Sequence, residues 1–295
     1  MKTFGINAHR TDKSGAVERA WPSRATFLTA MLSLILGLGP VWAQKPVPDL
    51  NGIWGRDAHN YPKPFLAPGR AGGVKDGYNN EYLRPWVVEL LQRDDLVTAS
   101  GHGIVTSHTV CYPEGVPYAF GGGGSIIQIL QMPTEITMIF SDHSQWRTIR
   151  MNVPHANPVK PSWWGDAVGH FEGDTLVIDT VGVAVNPESG SMGDFGVPHT
   201  LALHLVEHWR FLSDGEKSMA PTPHDDIFAV DDVIKGGKVM RLAFTVEDSI
   251  AYRKPWSATL DYLALKPPIK EFACAENNRN LDLAPLLPTA AIPDF

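Results

Sequence analysis

The chain has 295 residues, of which 43% are hydrophobic and 19% charged, and its formal net charge at pH 7 is −7. No basic stripe with interleaved aromatic residues offsets this acidic balance, so we expect no nucleic-acid partner. The length is enough for one large β domain or two small ones.

The N-terminal 43 residues have the pattern of an export signal. Basic side chains precede an apolar run at residues 27–38, and Val-Trp-Ala at residues 41–43 ends in a small residue suited to cleavage. The run is shorter than the roughly 20 residues that span a bilayer, although a retained anchor is the alternative. Cleavage would remove five basic and two acidic residues, leaving 20 Lys and Arg against 30 Asp and Glu, a net charge of −10. We therefore expect a periplasmic or secreted protein with no membrane span after signal removal.

Two cysteines, Cys111 and Cys274, lie in the expected mature chain. An oxidising compartment favours a disulfide between them, with two free buried thiols as the alternative. Such a bond closes a long loop and would contribute about 4–5 kcal/mol in the chain-entropy model.

Short segments rich in β-branched residues dominate the chain after residue 100. An earlier apolar stripe at helical spacing predicts one helix at residues 81–93, with Asn80 as its N-cap. Gly-rich loops are expected at residues 67–78 and 121–124. The predicted strands are residues 49–55, 126–131, 135–141, 146–151, 168–171, 175–183, 201–212, 239–246 and 258–265. Because no linker divides the chain, we predict a single all-β domain at residues 44–295, an antiparallel barrel or sandwich of lipocalin-like shape.

The acidic segment Glu172-Gly173-Asp174 separates two of these predicted strands. Glycine between two acids is typical of a hairpin turn, in which Asp174 can bond nearby backbone amides. Further along, Asp179 alternates with Val177 and Val181, so its carboxylate is predicted to point into an apolar face.

Residues 204–208 match the zinc-protease pattern H-x-x-E-H, which requires a helix. Here the flanking residues alternate as in a strand, where positions four apart are separated by roughly 13 Å. Two histidines at that separation cannot bind one zinc ion at about 2 Å, so no metal site is expected. The alternation instead places Glu207 in a row of apolar side chains. Burial would make it either the partner of an arginine on a neighbouring strand, such as Arg147 or Arg241, or a general acid or base with a raised pKa.

Two histidines are the further catalytic candidates. His155 lies between prolines on a loop after a strand, and His199 precedes the strand predicted at residues 201–212. With Glu207 they would form an acid–base set if the fold brought them together. An ordinary loop histidine that bonds the backbone is the alternative for each. The candidate substrate-binding residues are Trp163, Trp164, Trp209, Trp256 and Asp179, although such tryptophans are often core residues.

The motifs of residues 49–282 resemble a family of exported bacterial proteins of undetermined function. The family signature W-E-G-D-T-L-V-V-D-T corresponds to residues 171–180, with Phe171 for Trp and Ile178 for Val. The other matching positions are residues 49–54, the Cys-x-Pro-x-Gly-x-Pro stretch at residues 111–117, His155 and His199 after prolines, Glu207, Asp248 and Pro255-Trp256. The resemblance implies membership and says little about activity.

The chain departs from this family at three places. His208 replaces the usual Arg, Asn152-Val153 replaces a D-G-R step, and residues 274–278 lack the histidine of a C-H-E-G-N motif. These departures allow a different substrate or chemistry. We expect a cofactor-independent periplasmic lyase or isomerase for a small aromatic or alicyclic compound. A non-catalytic ligand-binding protein is the first alternative and a hydrolase is the second, since no nucleophile elbow is present.

Overall fold

The computed structural model describes residues 47–56, 80–101, 111–121, 126–141, 145–185, 198–217 and 232–269. All of them belong to one compact unit, Val47–Phe295. The other unit, Met1–Pro46, contains the predicted export signal and lies outside the described residues. The Gly-rich loop at 67–78 and Cys274 also lie outside them, so the disulfide stays a prediction.

Nine strands form a closed barrel in which each strand pairs with the next and β9 closes onto β1. Their bounds are β1 Gly52–Arg56, β2 Ile126–Gln131, β3 Glu135–Phe140, β4 Gln145–Met151, β5 Asp166–Glu172, β6 Thr175–Val181, β7 His204–Phe211, β8 Val239–Glu247 and β9 Trp256–Leu265. The pairs are antiparallel except β4 and β5, where Arg150 lies beside Val168. A closed ring with an odd number of strands requires such a parallel pair. The predicted all-β barrel is therefore confirmed, and the barrel form is the correct one of the two architectures considered.

Alternation along the strands decides which side chains fill the barrel. In β3, for example, Ile136, Met138 and Phe140 are buried, whereas the residues between them are partly exposed. The same period places Glu207 and Trp209 of β7 in the interior. Between β5 and β6, Gly173 has a φ of 63° within the two-residue connection, so the acidic segment is the hairpin turn that its composition indicates.

A short segment of the chain, residues 114–120, fills the barrel interior, and we call it the plug segment. Ala119 and Phe120 are fully buried, and the Phe120 ring contacts the inward-facing rings of Trp209 and Phe244. The backbone N–H of Glu114 donates to Gln145 Oε1 at 2.8 Å, which ties the segment to β4. Because its side chains occupy the interior, the barrel has a packed core.

The described residues include three helices: α1 Pro85–Ala99, α2 Tyr118–Gly121 and α3 Asp214–Lys217. Helix α1 corresponds to the helix predicted at residues 81–93, but it begins later and ends later. Asn80 accepts a hydrogen bond from the Tyr82 N–H in a turn before the helix, and Leu83 bridges to Tyr252. Pro85 then occupies the first turn, where its missing N–H costs nothing.

Strand β7 begins at His204, three residues later than predicted. The cause is the buried carboxylate of Asp248, which accepts hydrogen bonds from the backbone N–H of Thr200 at 2.6 Å and from its hydroxyl at 2.9 Å. These bonds hold residues 200–203 in a turn that the Leu203 N–H closes by donating to the Thr200 carbonyl. Hydrophobic alternation alone could not indicate that turn.

Gly115 tests the fit of the plug segment. Its φ is 70°, and a Cβ at this position would overlap the carbonyl oxygen of Trp163. We expect Gly115→Ala to destabilise the protein more than Gly173→Ala, which has a similar φ of 63° and open space around the added atom. Both variants incur the left-handed backbone cost of about 1–2 kcal/mol. Only Gly115→Ala adds an overpacking cost of about 1–3 kcal/mol. Urea unfolding measures the difference, and equal losses would contradict the tight fit of the plug.

Candidate functional site

An ion pair crosses the interior of the barrel. Glu207 on β7 faces Arg147 on β4, and the guanidinium donates to the two carboxylate oxygens at 2.7 and 3.1 Å. Strands β4 and β7 are not neighbours in the sheet, so the pair spans the core. Arg147 also donates to the Thr180 hydroxyl at 2.5 Å, and Trp209 Nε1 donates to Glu207 at 3.0 Å.

This contact decides between the two roles considered for Glu207. Both side chains of the pair are 0% exposed, and each carboxylate oxygen of Glu207 has a charged donor. The partner is an arginine, Arg147, but it lies across the core and not on a neighbouring strand as expected, while Arg241 pairs with Asp261. The bidentate contact with the Arg147 guanidinium holds the Glu207 carboxylate in the core, so the geometry gives no support to an acid–base role for it.

The three predicted catalytic residues lie in three different environments. His199 Nδ1 lies 3.2 Å from the Thr200 carbonyl oxygen, beside Asp248. Desolvation lowers the pKa of His199 and so favours the neutral imidazole. The Thr200 carbonyl and Asp248 have the opposite effect, which is smaller. His155 contacts carboxylates on the outer face of the barrel. Among the contacts that the described structure shows for these histidines, neither His155 nor His199 reaches Glu207.

His155 belongs to a cluster of alternating histidines and carboxylates, which we call the outer cluster. Its members are Asp166 on β5, Asp179 on β6, His204 on β7, Glu247 on β8, and His155 on the loop between β4 and β5. His155 Nδ1 lies 3.1 Å from Asp166 and its Nε2 lies 3.0 Å from Asp179. His204 Nε2 lies 3.1 Å from both oxygens of Asp179, and its Nδ1 lies 3.5 Å from Glu247. Asp179 is therefore shared by two imidazoles.

Strand register explains how these residues meet. Asp179 lies opposite Val168, so Asp166 is its diagonal neighbour on the same face of the sheet. On the other side His204 lies opposite Val181, which makes it a second diagonal neighbour. Four adjacent strands thus present one polar row on the outside of the barrel, and the loop places His155 over it.

Several hydrogen-bond donors surround Asp166 in the outer cluster and affect its pKa. Burial by itself would raise the pKa of this carboxyl group. Hydrogen bonds from the Ala156 N–H at 2.7 Å, from Arg150 at 2.6 Å and from His155 outweigh burial and hold the pKa below the ordinary value. Asp166 is only 14% exposed, whereas Asp179 is 41% exposed. Asp179 is therefore the member of this pair that a small molecule can reach.

The predicted substrate-binding tryptophans do not share one surface. Trp209 and Trp256 are buried core residues. Trp164 stacks on the buried ring of Phe140, with centroids 4.8 Å apart, and is partly exposed. Trp163 stacks on the exposed ring of Tyr112 at 5.6 Å. Asp179 is the residue of the predicted set that lies in the outer cluster, where its carboxylate is 41% exposed on the outer face of the barrel and does not point into the apolar interior as expected.

Sequence reasoning missed Asp166 and His204 as site residues. His204 attracted attention only as part of the H-x-x-E-H match, and its strand conformation agrees with the rejection of that match. The alternation that places Glu207 inside also places His204 outside, so its position was available from the pattern. Asp166 had no such signal, because no local pattern shows that the loop before β5 places His155 beside it.

Two further observations concern the residues that the structure describes. Within the described ranges, no group of three or more His, Cys, Asp or Glu side chains is arranged to hold a metal ion. In the same part of the chain, none of the helices has the length and apolar character needed to cross a membrane. Comparison with known families, with curated proteins and with solved structures gives no match to the chain. The family resemblance of the motifs stays a prediction.

The interior ion pair can be tested by removing one partner. Arg147→Met leaves the Glu207 carboxylate buried without its cation, so we expect a loss of about 3–5 kcal/mol in the free energy of unfolding. The double variant Arg147→Met/Glu207→Leu should recover most of that loss, because it removes both buried charges.

Arg210→Met is the matched control for this experiment. Arg210 also makes a two-pronged contact, with Glu216, but both side chains are 36% exposed. Its loss should cost about 0–1 kcal/mol. Urea unfolding of the four proteins gives the comparison. A double variant as unstable as the single one would show that the pair does more than neutralise buried charge.

Proposed function

We propose that the outer cluster is an acid–base site and that the protein is a cofactor-independent lyase or isomerase. The observation that carries this proposal is the environment of Asp179. It is a partly exposed carboxylate contacted by two imidazoles, and each imidazole has a second carboxylate on its other nitrogen. Carboxylates and histidines in mutual contact are the groups that general acid–base catalysis uses.

The chemistry assigned to the cluster is transfer of a proton to and from a small substrate. Asp179 removes a proton from a carbon or oxygen atom, and a neighbouring imidazole supplies one to the leaving oxygen or to a second carbon. Protonation of the leaving oxygen completes an elimination, and protonation of a second carbon completes an isomerisation. Positioned groups of this kind accelerate such reactions by about 10²- to 10⁴-fold.

A small aromatic or alicyclic compound is the proposed substrate class. Support comes from the stacked pair of Tyr112 and Trp163, because an exposed aromatic surface favours flat or cyclic apolar groups. Trp163 lies on the loop before β5, three residues before Asp166, which is the first residue of that strand. A protein that binds this compound without turnover is the second candidate, since the same two features would serve binding alone.

We further propose that the protein is exported and that Cys111 bonds to Cys274 in the mature chain. The support is the charged and apolar pattern of residues 1–43 and the oxidising compartment that it implies. An intact-mass measurement on protein expressed with its leader tests both parts. The measured mass should be that of a chain beginning at Gln44, and reduction should increase it by the mass of two hydrogen atoms. An uncleaved chain, or a mass unchanged by reductant, would contradict the corresponding part.

Solvent hydrogen exchange gives a test that does not require the natural substrate in advance. The purified protein is incubated in D₂O with small aromatic and alicyclic ketones, hydroxy acids and carboxylic acids, and proton NMR follows the C–H signals. We expect deuterium uptake or product formation with at least one compound. Asp179→Asn should lower that rate by about 10²- to 10⁴-fold, because the amide cannot accept the proton.

His170→Gln is the matched control. His170 lies on the outward face of β5 and contacts Glu172 at 3.0 Å, so it is a histidine–carboxylate pair outside the outer cluster. This variant should retain the wild-type rate. Full turnover in Asp179→Asn would remove the outer cluster from the mechanism. Binding without exchange or product in the wild type would favour the ligand-binding alternative.

A further inference from the structure

We propose that Asp166 is a positioning residue that fixes a proton on Nδ1 of His155, so that Nε2 is the ring nitrogen that exchanges a proton with Asp179. The inference rests on the proposed acid–base function of the outer cluster. In this arrangement the proton on Nδ1 stays in place, whereas the proton between Nε2 and Asp179 can move. Asp166 itself is not a catalytic residue here, because it acts through His155.

Asp166 has hydrogen-bond partners at both of its carboxylate oxygens. One carboxylate oxygen receives Arg150, and the other receives the Ala156 N–H and faces His155 Nδ1. These donors are typical of an ionised carboxylate, in agreement with the lowered pKa of Asp166. An ionised carboxylate accepts hydrogen bonds and donates none. The ring nitrogen that faces it must therefore carry the proton.

The opposite side of the His155 ring faces Asp179. Nε2 lies 3.0 Å from Asp179 Oδ1, which is hydrogen-bond distance, so one proton lies between the two atoms. That proton belongs either to Nε2 or to Asp179, since Nδ1 is already protonated in both cases. His155 can thus pass a proton to Asp179 or take one from it without changing its Nδ1 contact.

The surroundings of His204 are different. Its Nδ1 lies 3.5 Å from Glu247, which is 54% exposed, and its Nε2 faces both oxygens of Asp179. The carboxylate behind His204 is therefore more distant and better solvated than the one behind His155. Of the two imidazoles, His155 has the ring held on both sides at hydrogen-bond distance.

The protonation of His155 can be read directly from ring ¹⁵N shifts and two-bond couplings in protein labelled at histidine nitrogens. In the wild type at neutral pH, His155 Nδ1 should be protonated. In Asp166→Asn, the amide can turn its NH₂ toward the ring, so a population with a bare Nδ1 should appear. Glu172→Gln is the control, because Glu172 lies on the same face of β5 and contacts His170. It should leave the His155 signals unchanged.

Activity supplies an independent readout once a substrate is known. Asp166→Asn should lower kcat by about 10²-fold or more with little change in KM, because a wrong tautomer disables a catalytic imidazole without removing binding contacts. Glu172→Gln should retain the wild-type kcat. A pH profile of kcat that Asp166→Asn leaves identical in shape and height would contradict the positioning role.

The two readouts separate the inference from the function on which it rests. A wild-type His155 with a bare Nδ1 overturns the positioning role whatever the activity, and this result needs no folded variant. A protonated Nδ1 that depends on Asp166, together with unchanged turnover, upholds the positioning role and overturns the proposed catalytic use of the cluster.

Discussion

A closed sheet of nine strands must contain one pair of neighbours that run in the same direction, and here that pair is β4 and β5. Parallel neighbours cannot be joined by a tight hairpin and need a longer connection. The connection consists of residues 152–165, in which Ser162 bridges to Val183. His155 belongs to this connection. The outer cluster therefore depends on the parallel pair, because a hairpin between β4 and β5 would leave no chain to carry an imidazole over Asp166 and Asp179.

Two groups of charged side chains in the barrel have different surroundings. Arg147 and Glu207 neutralise each other in the interior, where an unpaired buried charge would be costly. The outer cluster has three carboxylates, of which Asp166 pairs with Arg150 and Asp179 is open to water. Ionisable side chains thus brace the core in one place and form the candidate site in another.

Alternation of apolar residues was enough to predict most of the barrel, because the period of a strand decides which side chains turn inward. The expected partner, an arginine on a neighbouring strand, was wrong because Arg147 lies on β4 across the core, but alternation correctly placed Glu207 inside. It could not choose between Arg147 and Arg241, because a period gives the face of a strand and not the partner across a core. The set of His155, His199 and Glu207 rests on the positions of the two histidines beside strands, and such positions do not show which residues meet in space. The contacts of His155 depend on strand register over residues that are far apart in the chain, which no local pattern contains.

The motifs that prompted the family resemblance now have distinct physical explanations. Gly115, in the Cys-x-Pro-x-Gly-x-Pro stretch, allows the plug segment to approach the backbone of Trp163. Asp248 fixes the turn before β7, and Gly173 forms the hairpin of the W-E-G-D-T-L-V-V-D-T signature. These residues serve the fold, so a shared signature of this kind would identify the barrel and not its reaction. Asp179 is the member of the signature that faces the candidate site, and its chemistry depends on which histidines surround it. Membership in such a family would therefore be compatible with different activities in different members.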